Sequence, residues 1–408
     1  MSTVKIPKIL IPKQSTDMVK WATIACDQFC ARPKYWEELQ SIVGDAPSTL
    51  KITCPEIYIN KGDLDNRILN VNAEMRSYVE NGLFEEVNNF VLVEREVEDG
   101  KKRVGMMISI DLDQYDWNRV RVPIRATEGT LVERLPVRIK IRKNAPIELP
   151  HAIILIDDED RKIIEPIYAR RHSLKKLYDF DLNMGGGNVK GYEVDESEKV
   201  LTLLEGLLER ELQIKKYGVD AGIQFAVGDG NHSIATAKVM WEELKKNLTE
   251  EERLNHPARY MLVEMVNLYG EGMSFKPIHR LVYNPDKAFI DGLKKALQGD
   301  GKIKLLTDKG EEFVSAPQKA SLAITAVQSY IESFIKDNPW LEVEYVHNED
   351  HLIEALEESK GAIGIVMPDF PNAELVNYVV NVGNLPKKAF SIGEPEHKRY
   401  YLECKYII

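Results

Sequence analysis

Six consecutive residues, Gly228-Asp229-Gly230-Asn231-His232-Ser233, bring a carboxylate, an amide, an imidazole and a hydroxyl together around two glycines. Ahead of them Ile223–Val227 reads as a short buried strand. Behind them Ile234–Leu244 is rich in helix formers, which puts the polar residues on a strand-to-helix turn. Such a turn suits an anion. Glycines such as Gly228 and Gly230 let the backbone approach a ligand closely, and the first N–H groups of a helix carry the positive end of its dipole. Asp229 has the chemistry to ligate magnesium or take a proton. Asn231 and Ser233 can bond a phosphate oxygen, and His232 can act as acid, base or phosphate donor. Each residue alone has an ordinary explanation, since Asp, Asn and Ser commonly cap helices and a single His is often structural. Six together exceed what capping requires.

A second polar concentration, Arg125-Ala126-Thr127-Glu128-Gly129-Thr130, follows the strand-like Val120–Ile124. Glu128 is its candidate general base, Arg125 its candidate anion clamp and Thr127 a candidate ligand-binding hydroxyl, against the alternative of an exposed turn with a surface ion pair. Asp27, after the apolar Ile24-Ala25-Cys26, is either ligand-facing or a cap. His279-Arg280 is either a binding pair or part of a strand over Ile278–Tyr283. Gly185-Gly186-Gly187 with Lys190 predicts an exposed, mobile loop, a lid or phosphate nest at most.

The bulk properties narrow the classes of function. A formal net charge of -11 over 408 residues argues against nucleic-acid binding as the main task, because that rests on a strong basic field; a local basic patch stays open. The longest apolar runs, Ala152–Ile156 and Ala362–Met367, fall far short of the roughly 20 residues that span a bilayer. Met1–Pro12 mixes charges with Ile and Pro and offers no signal-peptide core. The expectation is a cytoplasmic protein without membrane contact. Its 4 cysteines are scattered, as in a reducing compartment. Cys26 and Cys30 lie four apart, but no second Cys/His pair nearby completes a metal site.

Stepping out from the motif to the elements around it, Leu64, Ile68, Val71, Met75 and Tyr78 recur at helical spacing and mark one core-facing stripe. Phe90–Val97 and Val104–Leu112 form a predicted hairpin across Asp99-Gly100. Leu135–Ile141 reads as a strand, Val200–Tyr217 as one amphipathic helix, and Arg399–Ile408 as a closing strand-like segment. Leu341–Val346, a helix from Asn348 and Ala362–Met367 make a βαβ pattern. The fold expected is α+β or α/β with mixed sheets, in three segments: 1–118, a motif-bearing 119–285, and 286–408 with the βαβ.

The motif residues also carry a resemblance. Asp229-Gly230-Asn231-His232-Ser233-Ile234-Ala235-Thr236-Ala237 resembles the signature Asp-Gly-His-His-Arg-Tyr-x-Thr-Ala of the domain-of-unknown-function family 1015 of bacteria and archaea. Trp21–Phe29, Tyr35-Trp36-Glu37-Glu38, Asp45–Leu50 and Arg125–Thr130 resemble its clostridial-type branch. His279-Arg280 is similar to a Pro-x-His-Arg element of the family. The motif is more distantly similar to one in ParB-like and sulfiredoxin-like folds, among them a free-serine kinase that uses ADP or ATP. The resemblance thus implies a ParB-like central domain and a turn that holds nucleotide phosphates, with a separate carboxylate taking the proton of a substrate hydroxyl. It implies ADP or ATP with magnesium, and no organic prosthetic group. The chain departs from the signature at Asn231 and Ser233. An Arg at 233 would give a charge-assisted phosphate contact, and Arg125, Arg280, Lys190 and Lys238 are the candidates to replace it. The function expected is a nucleotide- or phosphate-binding enzyme, a phosphotransferase acting on a small hydroxylated metabolite. The alternatives are a non-catalytic nucleotide-responsive binding protein and a metal-dependent hydrolase using Asp27, Asp229 and His232. The partner expected is a phosphorylated small molecule, and the sequence leaves the oligomeric state open.

Overall fold

Strands of two to ten residues, the central ones rich in β-branched and other apolar side chains, build one ten-stranded sheet. In chain order its strands are β1 (Val4–Lys5), β2 (Val91–Glu96), β3 (Lys102–Asp111), β4 (Tyr115–Asp116) and β5 (Ile124–Arg125). They continue with β6 (Ile153–Ile156), β7 (Lys175–Asp181), β8 (Asn188–Glu193), β9 (Phe225–Asp229) and β10 (Tyr260–Asn267). The spatial order is β7-β8-β2-β3-β10-β6-β9-β5-β4, with β1 paired to β3. The computed structural model describes residues 2–408 except 31, 60, 61, 119, 120, 131, 132 and 134, and describes the backbone but not the side chains of Asp27 and Asp99.

The sheet is mixed. β2 and β3 form the expected hairpin, antiparallel from Val91↔Met107 to Glu96↔Lys102, and its turn ends at Gly100, whose φ of 71° a glycine adopts without strain. β10 runs antiparallel to β3 but parallel to β6, with Glu264 opposite Ile153. β9 lies antiparallel to β6 and parallel to β5, with Ala226 opposite Arg125. Both faces are covered, which explains why the central strands read as unbroken apolar runs. Met106, Ile154, Val227 and Met265 pack on one face with Ile234, Ala237 and Trp241 of the helix Asn231–Leu244. Val91, Met107 and Leu262 face a second core with Trp21, Trp36, Val71, Met75, Tyr400 and Leu402. Val71 and Met75 belong to the helix Leu64–Glu80, whose buried stripe is the one its spacing predicts.

Two expectations are corrected. Leu135–Ile141 is not a strand; Leu135–Arg142 is a helix that packs on the helix Asn231–Leu244. Pro136 has no N–H to give a ladder yet suits a first helical turn, and Lys140 and Arg142 complement the negative end of the dipole. Val200–Tyr217 is two helices, Ser197–Gly206 and Arg210–Tyr217. The chain tightens after Gly206, and Gln213 of the second helix donates to the Leu207 carbonyl at 2.6 Å, satisfying the broken end.

The chain divides into two compact units, 1–273 with 395–408, and 274–394. The expected boundary at 118/119 falls inside the first, because β3 pairs with β10 along seven residues; the one at 285/286 falls inside the second. The second unit has a five-stranded antiparallel sheet in the order Gly310–Ala316, Gly301–Thr307, Ile363–Val366, His279–Tyr283, Glu342–Val346. The strands of the expected βαβ are therefore not neighbours. His279–Tyr283 lies between them, antiparallel to each. Among the described residues no helix is long and apolar enough to cross a membrane.

Candidate functional site

The turn is shaped by two glycines with different tasks. Against β6 the register slips between Val227↔Ile154 and Asp229↔Ile153, so Gly228 is the additional residue of a bulge that bends β9 at its end. Gly230 then takes φ 83°, the left-handed region, and the helix Asn231–Leu244 begins at once. A Cβ at Gly230 would sit 2.8 Å from both Cα and Cβ of Ala152, so the turn is pressed against the start of β6. The N-cap of this 14-residue helix is Gly230, which has no side chain to cap it. Asp229 Oδ1 accepts from the Gly230 N–H at 2.7 Å, so none of the polar residues occupies the N-cap position itself.

Around the turn the polar groups converge. Asp229 Oδ2 lies 3.2 Å from Lys398 Nζ. Burial opposes ionisation of this carboxyl, but the Lys398 ammonium, His151 and the Gly230 N–H outweigh it and hold Asp229 below the ordinary carboxylate range. Ser233 Oγ and His151 Nε2 are hydrogen-bonded at 2.8 Å, and the His151 ring lies beside Tyr401, centroid to centroid 5.5 Å. The His232 carbonyl accepts from Thr236 Oγ1 at 2.7 Å within the helix. Asn231 is 8% exposed, and its Oδ1 is buried without a hydrogen-bond partner.

The parallel pairing of β5 with β9 carries Thr127 and Glu128 toward the same end of the sheet as Gly228 and Asp229. Thr127 is buried and donates to the Val227 carbonyl at 2.5 Å, a tie between the strands. Arg125 does not join them. Its buried guanidinium donates to the carbonyls of Val122, at 3.4 Å, and Ala221, at the end where β9 begins. The strand expected over Val120–Ile124 is only Ile124–Arg125, and Val120 lies outside the described residues.

His279 and Arg280 belong to the second unit, in the strand reading of that pair. His279 Nδ1 accepts from the Met367 N–H at 3.0 Å, and Arg280 donates to Gln328 Oε1 at 3.2 and 3.0 Å and to the carbonyls of Ile278 and Lys388. Gly185 and Gly187 turn β7 into β8 at φ 74° and 77°, while the Gly186 carbonyl accepts two bonds from Arg95. Lys190 lies 3.7 Å from Glu94, and Lys238 pairs with Glu242 at 2.6 Å. Arg125, Lys190 and Lys238 are thus engaged with partners other than the turn, and Arg280 with partners of its own unit. Among the described residues, Lys398 is the cation paired with Asp229 of the turn.

Asp27 heads a single 3-10 turn, Asp27–Phe29, which Cys26 and Cys30 flank, so the two cysteines do not share a helix face. Among the described residues no three His, Cys, Asp or Glu side chains gather to hold a metal. Two cavities of the first unit have none of the turn's residues in their walls. One, about 330 Å³, lies among Gln40, Lys51, Tyr58 and Arg67; the other, about 530 Å³, among Tyr115, Trp117, Lys238 and Glu242. Sequence reasoning missed His151 and Lys398. His151 immediately precedes the apolar run of β6, and the antiparallel pairing with β9 is what brings it opposite the turn. Nothing local marks Lys398.

Comparison with known proteins places these observations in a family. Among solved structures, a free serine kinase in complex with AMP is similar with a TM-score of 0.37 and 11% identity, covering 72% of this chain and 90% of that one. A mutant of a free serine kinase in complex with ADP gives 0.39 and 11%, covering 74% and 92%. A conserved hypothetical protein from Pyrococcus furiosus gives 0.35 and 11%, covering 71% and 93%. Likeness at this level carries no functional argument. No curated protein matches the sequence. Residues 9–365 match the model of a family described as "Protein of unknown function (DUF1015)". Since that match takes in most of the chain, the motif turn included, the protein belongs to the DUF1015 family.

Proposed function

We propose that the protein binds a phosphorylated small molecule, foremost ADP or ATP, at the turn Gly228–Ser233 and transfers a phosphoryl group to a small hydroxylated metabolite. The observation that carries this reading is the N-terminus of the helix Asn231–Leu244, whose N-cap is a glycine and whose first residue, Asn231, has a buried Oδ1 without a hydrogen-bond partner. The first N–H groups of a helix have no partner inside it, and with the dipole's positive end they favour an anion. In this reading those groups, with Asn231 and His232, hold phosphate, Asp229 orients the acceptor hydroxyl and Glu128 takes its proton. Both Asp229 oxygens are already engaged. Magnesium therefore fits best as a companion of the bound phosphates, a mode in which it keeps most of its waters and uses few protein carboxylates. A second reading, a nucleotide-responsive binding protein without turnover, is favoured by Ser233, whose hydroxyl pairs with His151; it predicts binding without consumption of nucleotide.

The test is a thermal-shift screen with ADP, ATP, CTP, GTP and pyrophosphate, with magnesium, repeated on Asn231→Ala and His232→Ala. A ligand at a hundred times its Kd raises stability by about 2.7 kcal/mol. A shift in the wild type that shrinks in both variants is the expected result, and a screen without any shift would sink the reading.

A further inference from the structure

We infer that Lys398 is the phosphate-binding cation of this site, brought there by the C-terminal segment and held by Asp229 until an anion takes its place. The inference rests on the anion-binding reading of the turn given above. Lys398 lies beyond residues 9–365, the part of the chain matched to the family, yet its ammonium is 3.2 Å from the Asp229 carboxylate.

The backbone around Lys398 is fixed on both sides. Arg95 of β2 donates to the carbonyls of Glu396, at 2.6 Å, and of Lys398 itself. Arg103 of β3 donates to the carbonyl of His397 at 2.8 Å. Both guanidiniums are buried, at 0% and 1% exposed. Beyond Lys398, Arg399 pairs with Glu264 at 2.7 Å, and Tyr401 bridges to Thr23. Two buried arginines therefore grip the main chain of three successive residues, and the side chain left to project at the turn is an ammonium.

Magnitudes favour a ligand role over a strap. The Lys398 and Asp229 side chains are 13% and 34% exposed, and a single ion pair that solvent still reaches contributes little to stability, about 0–1 kcal/mol. A clamp of buried guanidiniums, each costly to desolvate, is out of scale with such a gain. A di- or triphosphate offers the ammonium more negative charge than one carboxylate does, at a helix end that already favours anions. Transfer of Lys398 to phosphate would also release the Asp229 carboxylate from its counter-ion next to the bound group, where it can orient the acceptor hydroxyl.

The experiment is isothermal titration of the full chain with inorganic pyrophosphate and with ADP, in EDTA, for the wild type, Lys398→Met, Lys398→Arg and Asp229→Asn. Charged hydrogen bonds of this kind correspond to losses on the order of tenfold to a hundredfold in affinity. Lys398→Met is expected to weaken pyrophosphate by at least about tenfold, and Lys398→Arg to restore most of it. Asp229→Asn, which removes the competitor, is expected to bind pyrophosphate more tightly than the wild type, a result that a purely structural pair would not give. Unchanged binding in Lys398→Met, or weaker binding in Asp229→Asn, overturns the inference while leaving the anion site standing. A wild type that binds neither pyrophosphate nor ADP, in EDTA or when the titration is repeated with magnesium, removes the anion site itself and the inference with it. Should Lys398→Met not fold, acetylation of the wild type followed by mass spectrometry decides the question: pyrophosphate should protect Lys398, and equal modification with and without it overturns the role.

Discussion

Gly230→Ala is the perturbation that most directly questions how the turn is held. Two penalties add at this residue. A left-handed φ costs an L-residue about 1–2 kcal/mol, and the new methyl would meet backbone and Cβ atoms of Ala152 at 2.8 Å, inside contact distance, where overpacking costs about 1–3 kcal/mol. The sum is a destabilisation of about 2–5 kcal/mol. Gly218 supplies the control. It has φ 78°, almost that of Gly230, but an added Cβ there meets nothing within 4 Å, so Gly218→Ala should show the backbone penalty alone. Urea denaturation of both variants, read as midpoints at constant slope, isolates the steric part as their difference. Equal destabilisation would refute the close approach of turn and β6. A large difference together with lost nucleotide binding would tie that approach to the site.

Two further outcomes are expected. Glu264 is completely buried, 2.7 Å from Arg399 and 3.9 Å from Arg103, so Glu264→Gln leaves two buried guanidiniums with one remaining carboxylate among the described residues, Glu403, which pairs with Arg399; chemical denaturation should show a loss of about 3 kcal/mol, and a loss below about 1 kcal/mol would mean that water reaches the cluster. Burial opposes ionisation of Glu148, but Lys405, Arg142 and the Leu262 N–H at 2.8 Å outweigh it and lower its folded pKa. A depressed carboxylate contributes stability that is present above its unfolded pKa of about 4.3 and is lost as pH falls through the lower folded value. Stability measured between about pH 6 and pH 3 should therefore fall less steeply in Glu148→Gln than in the wild type; parallel curves would contradict the assignment.

Much of the architecture can be read from local pattern, and the misses have physical causes. The Asp99-Gly100 turn, the stripe of Leu64–Glu80 and the succession of strand, turn and helix at the motif are short-range signals, and the structure builds all three. Leu135–Arg142 misled because Val137-Arg138-Ile139-Lys140-Ile141 alternates like a strand, while the evidence for a helix lay in Pro136 and in a packing partner nearly a hundred residues away. Arg125 and Arg280 look like ligand clamps in sequence, since a guanidinium bonding main-chain carbonyls and one awaiting an anion have the same letter. His151 and Lys398 reach the turn only through strand register and a long-range return, which no local window contains.

That return has a consequence for how the protein comes into being. The sheet that carries the motif is encoded by Val4–Asn267, yet its covering layer includes Arg399, Tyr400 and Leu402, which follow the whole of 274–394. A ribosome finishes β10, with Glu264 in it, long before Arg399, the nearer of that carboxylate's two arginine partners, exists. During that interval the nascent first unit has an open apolar face and a buried acid with Arg103 alone beside it, a state that attracts chaperones and slows folding by its dependence on distant contacts. Synthesis rate and chaperone supply, more than composition, should then set the yield of soluble protein.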